Sequence, residues 1–280
     1  SEMCIRDRKI YSAKGRPSDN PLIVHISDFS DLERIAKTVP EDARKLSDAF
    51  WPGPLTMIVE KGDAVPYATT GGMDTVAVRM PNHPIALDLI RRSGCLIAAP
   101  SANTSGRPSP TEAAHVAEDL SGKIAMIIDG GPVGIGIEST IIDLTEDTPM
   151  VLRPGYITPQ MLSKVLGKEV VIDPGIIAAD DTRKPKAPGM KYKHYAPKAQ
   201  VTILRGDFDK YRAFVDANKA DGVWALCFDG EGAQLGVPFI EYGKNHDGVT
   251  QAHHLFTALR DLDKHGAQVV YARCPEQDGV

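Results

Sequence analysis

The stretch KPKAPGMKYKHYAPKAQ, Lys184 to Gln200, divides two different rhythms of apolar runs. Its prolines and Gly189 have the composition of a hinge. It also carries Lys184, Lys186, Lys191, Lys193 and Lys198 around Tyr192, His194 and Tyr195. A passive spacer needs neither cations nor rings, so this one reads as a linker with a second task. Beyond it the pattern predicts strands at 201–204, 222–228 and 268–272, with helices at 208–218 and 251–264 between them. Strands alternating with helices predict a small parallel sheet.

Before the linker the strands are denser. Apolar runs predict strands at 22–26, 55–59, 75–80, 95–99, 125–129, 139–144 and 150–153. Ser30-Asp-Leu-Glu33 has the form of a capping box opening a helix to about residue 38. Pro40 suits the first turn of a helix ending near residue 50. Further helices are expected at 84–92 and 111–120, and one opens at Pro159 with Thr158 as its cap. Many strands with few helices between them predict an α/β domain with a twisted, mixed sheet.

The 280 residues are 42% hydrophobic and 25% charged, an ordinary globular composition. The formal net charge of −5 gives no global drive toward nucleic acid, which is held by neutralising phosphates. Cys4, Cys95, Cys227 and Cys274 lie far apart and form no C-x-x-C pair. They read as reduced thiols of a cytoplasmic protein. No apolar run approaches the ~18 residues of a membrane span, and no secretory signal opens the chain.

Glycines 130, 131, 134 and 136 invite a dinucleotide-loop reading, but a β-type run follows them where that loop needs a helix. His253 and His254 are adjacent and point to different faces of a helix, which is poor geometry for a metal. Chemistry concentrates instead in four stretches: KGRPSDNPL (14–22) leading into His25, TVAVRMP (75–81), AAPSANTSGRPS (98–109), and GIEST (136–140) with RPG (153–155). Each sets polar or cationic groups at a strand end or in a loop stiffened by Pro and Gly. Ser101 and Asn103, at the exit of a buried strand, suit anionic oxygens, though Ser and Asn also favour plain capped turns. Arg79 lies in an apolar run and needs a partner, either an acidic side chain or a ligand carboxylate or phosphate. Together the four stretches imply a cationic, hydroxyl-rich pocket for a polyanion, with a nucleotide the leading candidate.

These motifs in this order, with FWPGPLT (50–56) and the linker, resemble the YrdC/Sua5 family in its two-domain form, from about Lys9 onward. The resemblance implies a twisted α/β YrdC-like catalytic domain over 1–174, a linker acting as a lid over 175–198, and a small Rossmann-like Sua5 domain over 199–280. It implies an L-threonylcarbamoyladenylate synthase, a cytoplasmic nucleotidyltransferase. That enzyme joins L-threonine, bicarbonate and ATP, with Mg2+, into threonylcarbamoyl-AMP and pyrophosphate. The product feeds threonylcarbamoyladenosine formation in tRNA through a downstream transferase.

Carried over residue by residue, Lys14, Arg16, Ser101 and Asn103 are the implied catalytic groups. Arg16, Asn20, Thr75, Ser101, Ser109, Arg153 and His194 are implied at ATP. His25, Arg79, Ala99 and Ser139 are implied at L-threonine. The alternatives are an RNA-binding module of the same fold, with weak salt-sensitive binding and no turnover, and a different carbamoyl-adenylate enzyme. The family's Pro-Thr-Glu-Thr-x-Tyr-Gly-Leu stretch is absent upstream of KGRP, residues 1–8 do not resemble the family, and its final helix is missing. The chain therefore reads as truncated at both ends, with impaired or absent synthase activity expected.

Overall fold

The computed structural model describes residues 2–177 and 195–275. In chain order the helices are α1 (Glu2–Lys14), α2 (Ser30–Ile35), α3 (Glu41–Phe50), α4 (Tyr67–Thr70), α5 (Pro84–Ser93), α6 (Ala113–Leu120), α7 (Pro159–Leu166), α8 (Pro174–Ile177), α9 (Phe208–Ala217) and α10 (Gly248–Lys264). The strands are β1 (Ile23–His25), β2 (Leu55–Glu60), β3 (Thr75–Arg79), β4 (Ile97–Ala99), β5 (Thr140–Asp143), β6 (Met150–Arg153), β7 (Val171–Ile172), β8 (Gln200–Leu204), β9 (Val223–Cys227), β10 (Phe239–Glu241) and β11 (Val269–Arg273). The chain divides into two compact units. One comprises Ser1–Ser105, Asp119–Met126 and Glu138–Lys193; the other comprises Gly106–Glu118, Ile127–Ile137 and His194–Val280.

The first unit is built on a mixed sheet in the order β4-β1-β3-β2-β5-β6-β7. β1 runs parallel to β3 and antiparallel to β4, while β2 is antiparallel to β3 and parallel to β5. Side chains alternate between the two faces of a strand, and here the alternation separates the main core from a smaller cluster with polar neighbours. Val24, Leu55, Met57, Val59, Val76, Val78 and Ile142 pack with Leu32, Ile35, Ala43, Leu46, Leu162 and Leu166 of α2, α3 and α7 in the main core. The opposite face carries a small cluster of Ile23, Ile58, Ala77, Ile141 and Leu152. His25, Thr56, Thr75, Arg79 and Ser139 share the parity of that second face.

The second unit holds a parallel sheet in the order β10-β9-β11-β8. Parallel neighbours need crossover connections, and these place a helix on each face. On one side Tyr211 and Val215 of α9 pack on Val223, Ala225 and Cys227. On the other, Phe256, Leu259 and Leu262 of α10 pack on Leu226, Val270 and Ala272. Residues 106–118 and 127–137 also belong to this unit, the former through short contacts to α10. Arg260 donates to the Pro108 carbonyl at 2.6 Å, and the Thr111 and Thr257 hydroxyls lie 2.8 Å apart.

Two local expectations fail. The apolar run at 125–129 forms no strand: Met126 is 76% and Ile128 56% exposed. A run of apolar residues has no strand character without a partner's backbone, and period alone cannot supply one. The capping box at Ser30 does not form either. Phe29 occupies the N-cap position, and Asp28 takes the Ser30 amide at 2.9 Å and its hydroxyl at 2.6 Å. Thr158, in contrast, caps α7 by accepting from the Met161 amide at 3.3 Å. Among the described residues no helix is long and apolar enough to cross a membrane.

Candidate functional site

The site residues of the first unit fall into three joined groups. The first is built around Lys14, the last residue of α1, which Gly15 then ends at a φ of 63°. Lys14 is buried, and its ammonium donates to the main-chain carbonyls of Ser101 and Asn103 in the turn after β4. That turn is pinned in return, with Ser105 donating to the Lys14 carbonyl at 2.9 Å and the Thr104 amide donating to Asp119 at 3.1 Å. Burial, reinforced by Arg16 and opposed by Glu138 and Asp119, pulls the Lys14 pKa down to about 8.

The second group is Arg16 with Asn20. The guanidinium donates to the Asn20 side-chain oxygen at 2.7 Å and to the Pro21 carbonyl at 2.9 Å. Asn20 is 1% exposed, and its side-chain amide nitrogen has no hydrogen-bond partner among the described residues. Buried donors are normally satisfied, so an orphan beside a buried arginine is a place where a ligand oxygen would be accepted.

The third group lies on the open sheet face. His25, Arg79 and Thr56 are direct cross-strand partners in one row over β1, β3 and β2. The Arg79 Nε donates to the Gly53 carbonyl at 3.1 Å. Burial lowers its pKa, with Arg153 adding to that and Glu138 opposing it. His25 bonds through Nδ1 to the Ile23 carbonyl at 3.1 Å, and burial, then the Arg79 charge, takes its pKa down to about 4. The ring is therefore neutral near pH 7. The Thr56 and Ser139 hydroxyls are 2.8 Å apart, and Arg153 donates to the Ser139 hydroxyl at 2.9 Å and carbonyl at 3.0 Å. Arg153 Nη2 also lies 3.7 Å from the Glu138 carboxylate.

Mutual electrostatic influence joins the groups: Lys14 with Arg16 and Glu138, His25 with Arg79 and Glu138, and Arg79 with Arg153. The arrangement offers four cationic side chains, a neutral imidazole, buried hydroxyls and the carboxylates of Glu138 and Asp119. It can hold an anionic chain and an amino acid without offering a nucleophile. Ala99, on β4, pairs with Ile23 beside this row. Thr75 pairs with Glu60 at the far end of β3, roughly 13 Å along the strand from Arg79. Ser109 is buried in the second unit. His194, and with it most of the expected lid, lies outside the described residues. Glu138 and Thr56 received no role from the sequence. Glu138 stands in the quoted GIEST motif, and Thr56 has the parity of Ile58 in β2, so both signals were present.

A family model described as telomere recombination, Sua5/YciO/YrdC, matches residues 6–155, and one described as threonylcarbamoyl-AMP synthase, C-terminal domain, matches 157–280. The chain belongs to the Sua5/YciO/YrdC family. Among family relatives it is similar to a threonylcarbamoyl-AMP synthase of Pyrococcus abyssi, with 49% identity over 98% of this chain and 80% of the relative. A Bacillus subtilis protein of the same name is 46% identical over 98% and 79%. Among solved structures, P. abyssi Sua5 complexed with L-threonine superimposes with a TM-score of 0.88, at 47% identity over 97% of this chain and 80% of that one. The mixed-sheet α/β fold expected from the sequence is the one these family members share.

Proposed function

We propose that this protein is a threonylcarbamoyl-AMP synthase, condensing L-threonine, bicarbonate and ATP into threonylcarbamoyl-AMP, pyrophosphate and water. The observation that carries the reading is the row His25–Arg79–Thr56 with Ser139 and Arg153 beside it, an amino-acid-sized set of groups in the same unit as the buried cations Lys14 and Arg16. Arg79 holds the threonine carboxylate, since a guanidinium fork matches a carboxylate in a way an ammonium does not. Ser139 and the Ala99 main chain orient the rest of the molecule, and neutral His25 contributes a hydrogen-bonding group without adding charge.

Lys14, Arg16 and Asn20 take the phosphate oxygens, with Ser101, Asn103 and Arg153 completing the nucleotide side. The threonine amine captures carbon dioxide as a carbamate. A carbamate oxygen then attacks the α-phosphorus, and pyrophosphate leaves. Positioning and charge neutralisation supply such a transfer, which is why the site needs no covalent nucleophile. Among the described residues no group of three or more His, Cys, Asp or Glu is arranged to hold a metal ion. In this proposal magnesium arrives with the phosphates as part of the nucleotide substrate. The product passes to a transferase that acts on tRNA.

The reading is tested by pyrophosphate release with each substrate omitted in turn. Any release is expected to require threonine, bicarbonate and ATP together. Release that persists without threonine would overturn it.

A further inference from the structure

Thr56 is fully enclosed and Ser139 is 2% exposed. Their hydroxyl oxygens lie 2.8 Å apart, and Arg153 donates to the Ser139 hydroxyl at 2.9 Å. Among the described residues neither hydroxyl has a further partner. A hydroxyl has one proton to donate and two lone pairs with which to accept. If Ser139 donated to Thr56, the Thr56 proton would be left without an acceptor where no ligand can reach it. If Thr56 donates to Ser139, both Ser139 lone pairs are filled, one by Thr56 and one by Arg153, and the proton left over belongs to Ser139. A buried donor without an acceptor costs about 1–3 kcal/mol. That cost can be relieved by a ligand only at Ser139, the one of the two that keeps an opening.

The oxygen is also fixed in place. The Ser139 carbonyl accepts from Arg153 at 3.0 Å. A Cβ on Gly155 would come within 2.6 Å of the Glu138 carbonyl and of the Thr140 amide, so the two segments touch main chain to main chain. Thr140 is clamped by Ile157, whose carbonyl accepts its hydroxyl at 2.7 Å and whose amide donates back at 3.1 Å. Thr56 is held as firmly, paired with Arg79 of β3 on one side and Ile141 of β5 on the other.

We propose that Thr56 is a positioning residue: it fixes the Ser139 hydroxyl as a donor aimed at an oxygen of the amino-acid substrate. Two donors on one oxygen polarise it and strengthen the bond its own proton makes. Ser139 therefore asks the substrate for a lone pair, which a carboxylate or hydroxyl oxygen supplies and an ammonium does not. Thr56 is enclosed and acts only through Ser139. This inference rests on the amino-acid reading of the site given above.

The test is a double-mutant cycle read by titration calorimetry with L-threonine and, separately, ATP, on the unaltered chain, Thr56→Val, Ser139→Ala and the double variant. Thr56→Val keeps the branched shape of the side chain and removes its donor. It should weaken L-threonine binding by about threefold to tenfold, the scale of one neutral hydrogen bond, and leave ATP affinity within about twofold. Ser139→Ala should weaken L-threonine by about tenfold, and adding Thr56→Val to it should change the affinity by less than about twofold, because the group through which Thr56 acts is gone. Thr56→Ser restores the donor and should recover L-threonine binding to within about twofold of the unaltered chain. A silent Thr56→Val, two losses that multiply, a Thr56→Ser as weak as Thr56→Val, or equal loss of L-threonine and ATP would overturn the inference while leaving the amino-acid site standing. If Thr56→Val does not fold, Thr56→Ala takes its place in the cycle with the same outcomes. An unaltered chain that binds no L-threonine removes the amino-acid reading as well.

Discussion

Lys14 makes nucleotide binding depend on pH in a window where few other groups titrate. With its pKa near 8, the ammonium is about nine-tenths charged at pH 7 and about one-tenth charged at pH 9. A phosphate chain binds the charged form, so the apparent affinity for ATP should fall about tenfold across that interval, or ~1.4 kcal/mol. Bound phosphate also pulls the lysine toward the protonated state, so binding at pH 8 should take up about half a proton. His25, held near 4, stays neutral throughout and contributes nothing. The assay is calorimetric titration with ATP at pH 7, 8 and 9 in two buffers of different ionisation enthalpy, which counts the protons. Lys14→Arg keeps the positive charge and removes the titration, and should give a flat profile. An unchanged slope in Lys14→Arg, or a flat profile in the unaltered chain, would refute the assignment of this charge to the phosphate site.

Three further outcomes are expected. Arg79→Lys should weaken L-threonine binding by about tenfold to a hundredfold, measured by calorimetry, because a point charge replaces a planar fork; an unaltered affinity would move the carboxylate elsewhere. Gly155→Ala should cost about 3 kcal/mol in urea unfolding, since the added methyl meets backbone atoms that cannot turn aside, and a loss below about 0.5 kcal/mol would show that the two segments can part. Burial pushes the Cys227 thiol up to about 12, so at pH 8 a thiol-specific reagent should modify exposed Cys95 and leave Cys227 intact until the chain unfolds.

Much of the first unit was legible because strand alternation is a local signal. In TVAVR the residues Val76 and Val78 turn one way and Thr75, Ala77 and Arg79 the other, and the structure keeps that division. The cap at Thr158 was legible for the same reason, since its partner is three residues away. What the sequence did not disclose is pairing over distance. The Thr56–Ser139 contact spans 83 residues, and Lys14 reaches Asn103 across 89. One Arg79 donor reaches the carbonyl of Gly53, a group every residue possesses and no motif marks. The run at 125–129 misled because apolar composition resembles a strand whether or not a neighbouring backbone is there to receive it.

The division of β3 into alternating residues has a consequence for how this protein can change. Polar and packing groups are interleaved along the same few peptides, so deleting Ala77 would carry Arg79 into the hydrocarbon side and turn Val78 out of the core. The polar row and the core packing would be lost in a single event. A change in the length of a connecting loop leaves that alternation intact, whereas a change in the number of residues within the strand does not.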